Sequence, residues 1–194
     1  MRDLKKRGMR APVLAVGDGA LGFWGALRDA FPRTRHQRDW VHKTANVLDA
    51  LPKSVHGRAK KAIKEITEAE NKAEAKKAVK ELEGEFGAKW PKAAEKVTND
   101  EEALLSYYDY PAEHWRHLRT TNPVESPFAT VKARTSITKG SREARVAMIY
   151  KLLETQEGRW RRLNSYRLMP LVRAGARFVN GELAERSEEQ KVAA

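Results

Sequence analysis

Cysteine is absent from all 194 residues. Disulfides, thiolate-held zinc and cysteine-ligated iron–sulfur clusters are therefore excluded. Nor does the sequence contain an apolar run of about eighteen residues, the length that a membrane-crossing helix needs. Residues 1–10 carry charges with no apolar stretch behind them, which is unlike a secretory signal. No internal repeat is visible. These absences point to a soluble, cytoplasmic protein without a membrane partner.

What is present is a chain able to build a core. Hydrophobic residues make up 41% and charged residues 33%, a balance that favours a packed domain over disorder. The charge is basic, with 38 Lys and Arg against 26 Asp and Glu, a net of +12. Its distribution is uneven. Residues 1–56 hold 11 basic and 5 acidic groups, residues 57–115 hold 11 and 13, and residues 116–180 hold 14 and 4. Two basic blocks thus flank a nearly neutral middle, and a phosphate backbone is the usual partner for such blocks. A merely solubilising surface is the alternative reading.

The patterning is mainly α, with a small β component. Residues 1–10 read as the end of a helix. Residues 11–16, APVLAV, are short, apolar and closed by Gly17-Asp18-Gly19, as a buried strand would be. Leu21, Trp24, Leu27 and Phe31 are spaced for one face of a helix that Pro32 stops. Residues 34–42 suggest a second strand despite their polar content. From Lys43 to about Tyr108 the pattern is helical. Ala, Lys and Glu dominate there, with an apolar stripe and many opposite charges. Asn122 before Pro123 has the form of a helix cap with proline in the first turn. A long helix is expected over 142–163, a shorter one over 166–179, and a frayed polar tail over 181–194.

Three acidic residues stand out by context. Asp18 ends an apolar strand between glycines, Glu125 lies in the first turn of a helix, and Asp39 precedes Trp40-Val41-His42. An Asp at a strand end and a Glu on a distant helix can share a divalent metal, and such carboxylate sites activate water for phosphodiester transfer. Each residue also has a plainer reading. Asp18 suits a tight turn, Glu125 complements a helix N-terminus, and Asp39 with His42 suits a structural hydrogen-bonded pair. Trp24 and Trp40 are most simply core residues.

Several segments carry a resemblance that spans roughly residues 3–175. GDGALGFWGAL (17–27), FPRTRHQRDWVHKTANVLDALPKS (31–54), GAKWPKA (87–93), YPAEHWRHLRTTNPVES (110–126) and WRRLN (160–164) resemble the transposases of Mutator-type bacterial insertion sequences. That resemblance implies a ribonuclease-H-like α/β domain with an Asp-Asp-Glu triad and an all-helical insertion before the Glu. Asp18 matches the second catalytic Asp and Glu125 the Glu, both as ligands of Mg2+ or Mn2+. Asp39 and His42 match the family's Asp/Cys-x-x-His signature, with Trp24 and Trp40 beside it.

The domains implied are a partial ribonuclease-H-like core over 1–45, an all-helical insertion over 46–115, C-terminal helices of the catalytic core over 116–180 and a flexible tail over 181–194. The family's first Asp lies well upstream of the second, whereas Asp18 has only seventeen residues before it and Asp3 belongs to the leading helix. The expectation is a truncated, C-terminal portion of the enzyme, with a non-catalytic DNA-binding remnant as the alternative. The partner implied is double-stranded DNA, both the element's terminal inverted repeats and its target, bound by a homo-oligomer. Arg116, Arg119, Lys132, Arg134, Lys139 and Arg142 are the residues expected to track phosphates.

Overall fold

The computed structural model of the chain describes residues 1–135 and 140–184. Helices dominate, and the sheets are small: a parallel pair near the N-terminus and an antiparallel pair near residue 180. Among the described residues no helix is long and apolar enough to cross a membrane.

A short helix α1 (Arg2–Lys6) leads into β1 (Leu14–Gly17). Helix α2 (Leu21–Ala30) then carries the chain back to β2 (Arg35–Arg38), because two parallel neighbours need a crossover rather than a tight turn. The strands pair in parallel from Leu14 opposite Arg35 to Gly17 opposite Arg38. Trp24, Leu27, Ala30 and Phe31 form a compact cluster against Met1 and Ala15. Leu21 departs from the expected stripe. At the first turn of α2 it stands 84% exposed, so the buried face begins at Trp24.

The second strand is shorter than its sequence suggested. It ends at Arg38 because the Asp39 side chain accepts from the His42 backbone N–H, capping helix α3 (Trp40–Asp49). Its polar character has a structural cause. Gln37 is fully buried, and its carbonyl oxygen accepts from Ser106 Oγ and Tyr107 N, each at 2.8 Å. Its amide group donates to the carbonyls of Arg38 at 2.8 Å and Leu104 at 3.0 Å. A satisfied buried amide thus fastens β2 to the helices that follow.

Those helices are α4 (His56–Glu68), α5 (Lys72–Phe86), α6 (Pro91–Thr98) and α7 (Glu101–Leu104). Small residues on their facing sides (Ala59, Ala62, Ala75, Ala93, Ala94) allow close approach around Ile66, Val79, Leu82, Phe86 and Val97. Asn71 caps α5 by accepting from Glu74 N at 2.9 Å, and Pro91 occupies the first turn of α6. The same core continues into Trp40 and Val47 of α3 and into the stacked pair Tyr107 and Tyr108. Trp115 of α8 (Trp115–Leu118) meets both tyrosines edge-on.

Helix α9 (Asn122–Thr135) packs on α10 (Arg142–Glu157), whose N-cap Ser141 accepts from Ala144 N at 3.2 Å. Two expectations need correction here. The long helix stops at Glu157, where Gly158 follows, instead of continuing to 163. The segment 166–179 is not one helix: α11 (Met169–Arg173) gives way to β3 (Phe178–Val179), which pairs with β4 (Glu182–Leu183).

The expected tail therefore begins too early at 181, since this hairpin is packed. Gly181 N donates to Tyr108 O and Gly181 O accepts from Ala112 N, both at 3.1 Å. With φ at +87°, and with Ala112 and Trp115 where a Cβ would stand, position 181 requires glycine. Residues 185–194 lie outside the described region.

Candidate active site

The site lies where the two parallel strands end. The Gly17 carbonyl accepts from Asp39 N at 2.8 Å, which fixes the end of β1 beside the start of α3. Asp18 follows directly and is exposed, with Oδ1 accepting from Ala20 N at 2.9 Å. Its backbone carbonyl takes two donors, Trp24 Nε1 at 2.7 Å and an Arg38 guanidinium nitrogen at 2.6 Å. The Trp24 ring lies against Gly17, where a Cβ would approach it to 3.0 Å. Trp24 is thus a buried brace for the strand end, and Trp40, equally buried, donates its indole N–H to Leu104 O at 3.0 Å. Both tryptophans belong to the core, and neither offers a face to a base.

Asp39 organises the other half of the site. Its side chain is fully buried. One oxygen accepts from His42 N at 2.8 Å; the other accepts from Thr121 N and from Thr121 Oγ1 at 2.7 Å. A further backbone bond, Trp40 N to Arg119 O at 2.9 Å, ties the same two segments together. Burial, the largest single influence, pushes the Asp39 carboxyl up. The His42 N–H and the two Thr121 donors outweigh it and hold the group below the usual carboxylate range.

Thr121 Oγ1 also meets Glu125 Oε1, one turn into α9. A hydroxyl has a single hydrogen, so two carboxylates compete for one donor. His42 adds to the crowding. Its Nδ1 is 3.4 Å from Asp39 and 3.8 Å from Glu125, and it has no hydrogen-bond partner among the described residues. Asp39, His42 and Glu125 each offer a ligand atom within 4.8 Å of the others, and Asp18 is not part of that group. Asp39 is the buried member, His42 is partly exposed and Glu125 is open to solvent.

The comparison with known proteins is unambiguous. The model of the Mutator-family transposase domain matches residues 1–162. The chain belongs to the Mutator family of transposases. It is 60% identical over 188 residues to the transposase for insertion sequence element IS6120 of Mycolicibacterium smegmatis, covering 96% of this chain and 58% of that protein. It is 47% identical over 184 residues to the transposase for IST2 of Acidithiobacillus ferrooxidans, covering 93% and 62%. A more distant relative, the transposase for ISRM5 of Rhizobium meliloti, is 26% identical over 166 residues. The chain spans about three fifths of the length of the first two relatives.

Within this Mutator-family chain, the residues expected to meet phosphates are divided. Arg116, Lys132, Arg134 and Arg142 are exposed. Arg119 is partly exposed and already engaged. Its guanidinium donates to Thr67 O and lies over the Tyr107 ring, so the end of α8 is tied to the helical core. Lys139 lies outside the described residues.

Two contributors escaped the sequence reading. Arg38 joins the Asp18 carbonyl to Asp100, whose carboxylate also takes the Lys43 ammonium. Thr121 links Asp39 to Glu125, and its only sequence signal is its place four residues before Glu125, one helical turn away.

Proposed function

We propose that this chain carries out DNA transposition chemistry, the divalent-cation-dependent cutting and joining of phosphodiesters at insertion-sequence ends. Its parallel strand pair and following helices would belong to a ribonuclease-H-like catalytic domain. The observation that carries the reading is the clamp made by Asp39. By binding His42 N and Thr121 N at once, it holds the first turn of α9, and hence Glu125, beside the strand ends that carry Asp18.

The donor chemistry suits a hard divalent cation. Asp18 and Glu125 are exposed carboxylates, and Glu125 shares a crowded, single-hydrogen hydroxyl with Asp39, a crowding that a cation would relieve. Magnesium or manganese held there by Asp18 and Glu125 would activate the attacking oxygen and stabilise the leaving one. Asp39 is a positioning residue, since both of its oxygens are engaged by backbone and hydroxyl donors. His42, with Nδ1 facing both carboxylates, can hold a proton next to Glu125. The exposed basic residues of α8 to α10 would bind the DNA backbone.

Magnesium-dependent nicking of supercoiled DNA tests this reading. Activity should disappear in Glu125→Gln and in Asp18→Asn, while duplex binding persists. Nicking that survives both substitutions contradicts it. A second reading, DNA binding without catalysis, is favoured by one observation: Asp18 stands outside the cluster of Asp39, His42 and Glu125. Salt-sensitive duplex binding with no metal-dependent nicking would select it.

A further inference from the structure

Between α8, α9 and the segment after α10 lies an open groove of about 670 Å³. Four arginines line it: Arg116, Arg159, Arg161 and Arg162. Among the described residues no acidic side chain lines it, and none of these four arginines takes part in an ion pair. The contrast with the helical core is sharp. There, cations such as Lys43, Lys72 and Lys76 sit against carboxylates. Converging guanidinium groups without a counter-charge repel one another, so the groove suits an anion.

It is also aromatic. Trp160 and Phe128 line the same groove and are more than half exposed, and Leu153 adds an apolar wall. His117, another lining residue, carries a buried Nε2 without a hydrogen-bond partner among the described residues. Phosphates alone would leave the rings in water. An acidic surface without flat apolar groups would do the same. Paired bases in a duplex present only their edges, with their faces stacked on one another. An unpaired nucleotide presents both a phosphate for the guanidinium groups and an open face for the indole.

We infer that this groove binds unpaired nucleotides of DNA, with Trp160 as the stacking platform and Arg116, Arg159, Arg161 and Arg162 as phosphate contacts. The inference rests on the transposase reading above and deepens it: the chain grips single-stranded extensions, as distinct from duplex, at a surface separate from the Asp39, His42 and Glu125 cluster.

Fluorescence anisotropy provides the test, with a labelled blunt duplex and the same duplex carrying a short single-stranded thymidine extension. The extended duplex should bind the wild-type chain about tenfold more tightly, in line with stacking of a base on an aromatic ring. Trp160→Ala should remove that gain and leave blunt-duplex affinity and the circular dichroism spectrum unchanged; Trp160→Phe should keep most of it.

Equal affinity for the two DNAs, a gain that persists in Trp160→Ala, or an equal loss on both DNAs each overturns the assignment while the transposase reading stands. Displacement of the extended duplex by poly-glutamate as readily as by oligothymidine of equal charge also overturns it, in favour of an acidic protein partner. Failure to bind either DNA would overturn this assignment and the transposase reading together.

Discussion

Asp39 is the residue on which the site's geometry turns. It is a buried carboxylate whose neighbours are backbone N–H groups and a hydroxyl instead of a cation. Replacement by Asn removes the charge and turns an N–H2 toward donors, so Asp39→Asn should cost about 1–3 kcal/mol at neutral pH. Because the folded carboxyl titrates below its ordinary range, its contribution is complete above the unfolded carboxyl's range and is lost as pH falls through the lower folded value. The stability gap between wild type and Asp39→Asn should therefore be constant at neutral pH and close on acidification. Chemical denaturation across a pH series measures this, and a gap that widens toward low pH would contradict it. The sequence marked Asp39, His42 and Glu125 as candidates, but not that one threonine would join them. Thr121 and Asp39 are 82 residues apart, and no local pattern registers such a contact.

At the scale of elements, β2 shows why a polar strand can be central. Its sequence, RHQR, lacks the alternation of a half-buried strand. Gln37 is buried through hydrogen bonds to Leu104, Ser106 and Tyr107, and Arg38 reaches Asp100. Gln37→Leu should destabilise the chain by about 1–3 kcal/mol, because the buried Tyr107 N–H would lose its acceptor, while Ser106 keeps the His36 carbonyl. Thermal unfolding of the variant checks this, and an unchanged midpoint would refute it.

The β3–β4 hairpin makes a second case. Gly181→Ala should destabilise by about 1–3 kcal/mol, since a Cβ there meets strain from positive φ and a clash with Ala112 and Trp115. Hydrogen exchange at the hairpin amides should report the loosening. Apolar runs, the proline stop after α2 and the helical pattern from Lys43 onward were legible from sequence, whereas Trp40–His42, the first turn of α3, read as strand. The hairpin was not, since its two-residue strands are held by contacts with Tyr108, Tyr110 and Ala112, about seventy residues away.

Across the whole molecule, the charge is segregated as the sequence indicated. The helical middle pairs its lysines and glutamates, as in Lys61–Glu65, Lys64–Glu68 and Lys77–Glu81. Most exposed arginines stand outside that middle, in residues 2–35 and again from α8 to the segment after α10. Duplex affinity should accordingly fall steeply between about 50 and 200 mM salt, by about a thousandfold if six phosphates are contacted. A shallow dependence would mean that the basic blocks serve solubility alone. Phe128, Val146 and Tyr150 on α9 and α10 are exposed as well.

We propose that Asp18 and Glu125 are ligands of one divalent-cation site, with Glu125 positioned through Thr121 by Asp39. A titration of Mn2+ followed by electron paramagnetic resonance tests it without requiring turnover. Bound Mn2+ should be detected in the wild-type chain and weakened at least about tenfold by Asp18→Asn or Glu125→Gln, a loss no smaller than that typical of disturbing an outer-shell partner. Mn2+ affinity unchanged by both substitutions, or no bound Mn2+ in the wild-type chain, would contradict it.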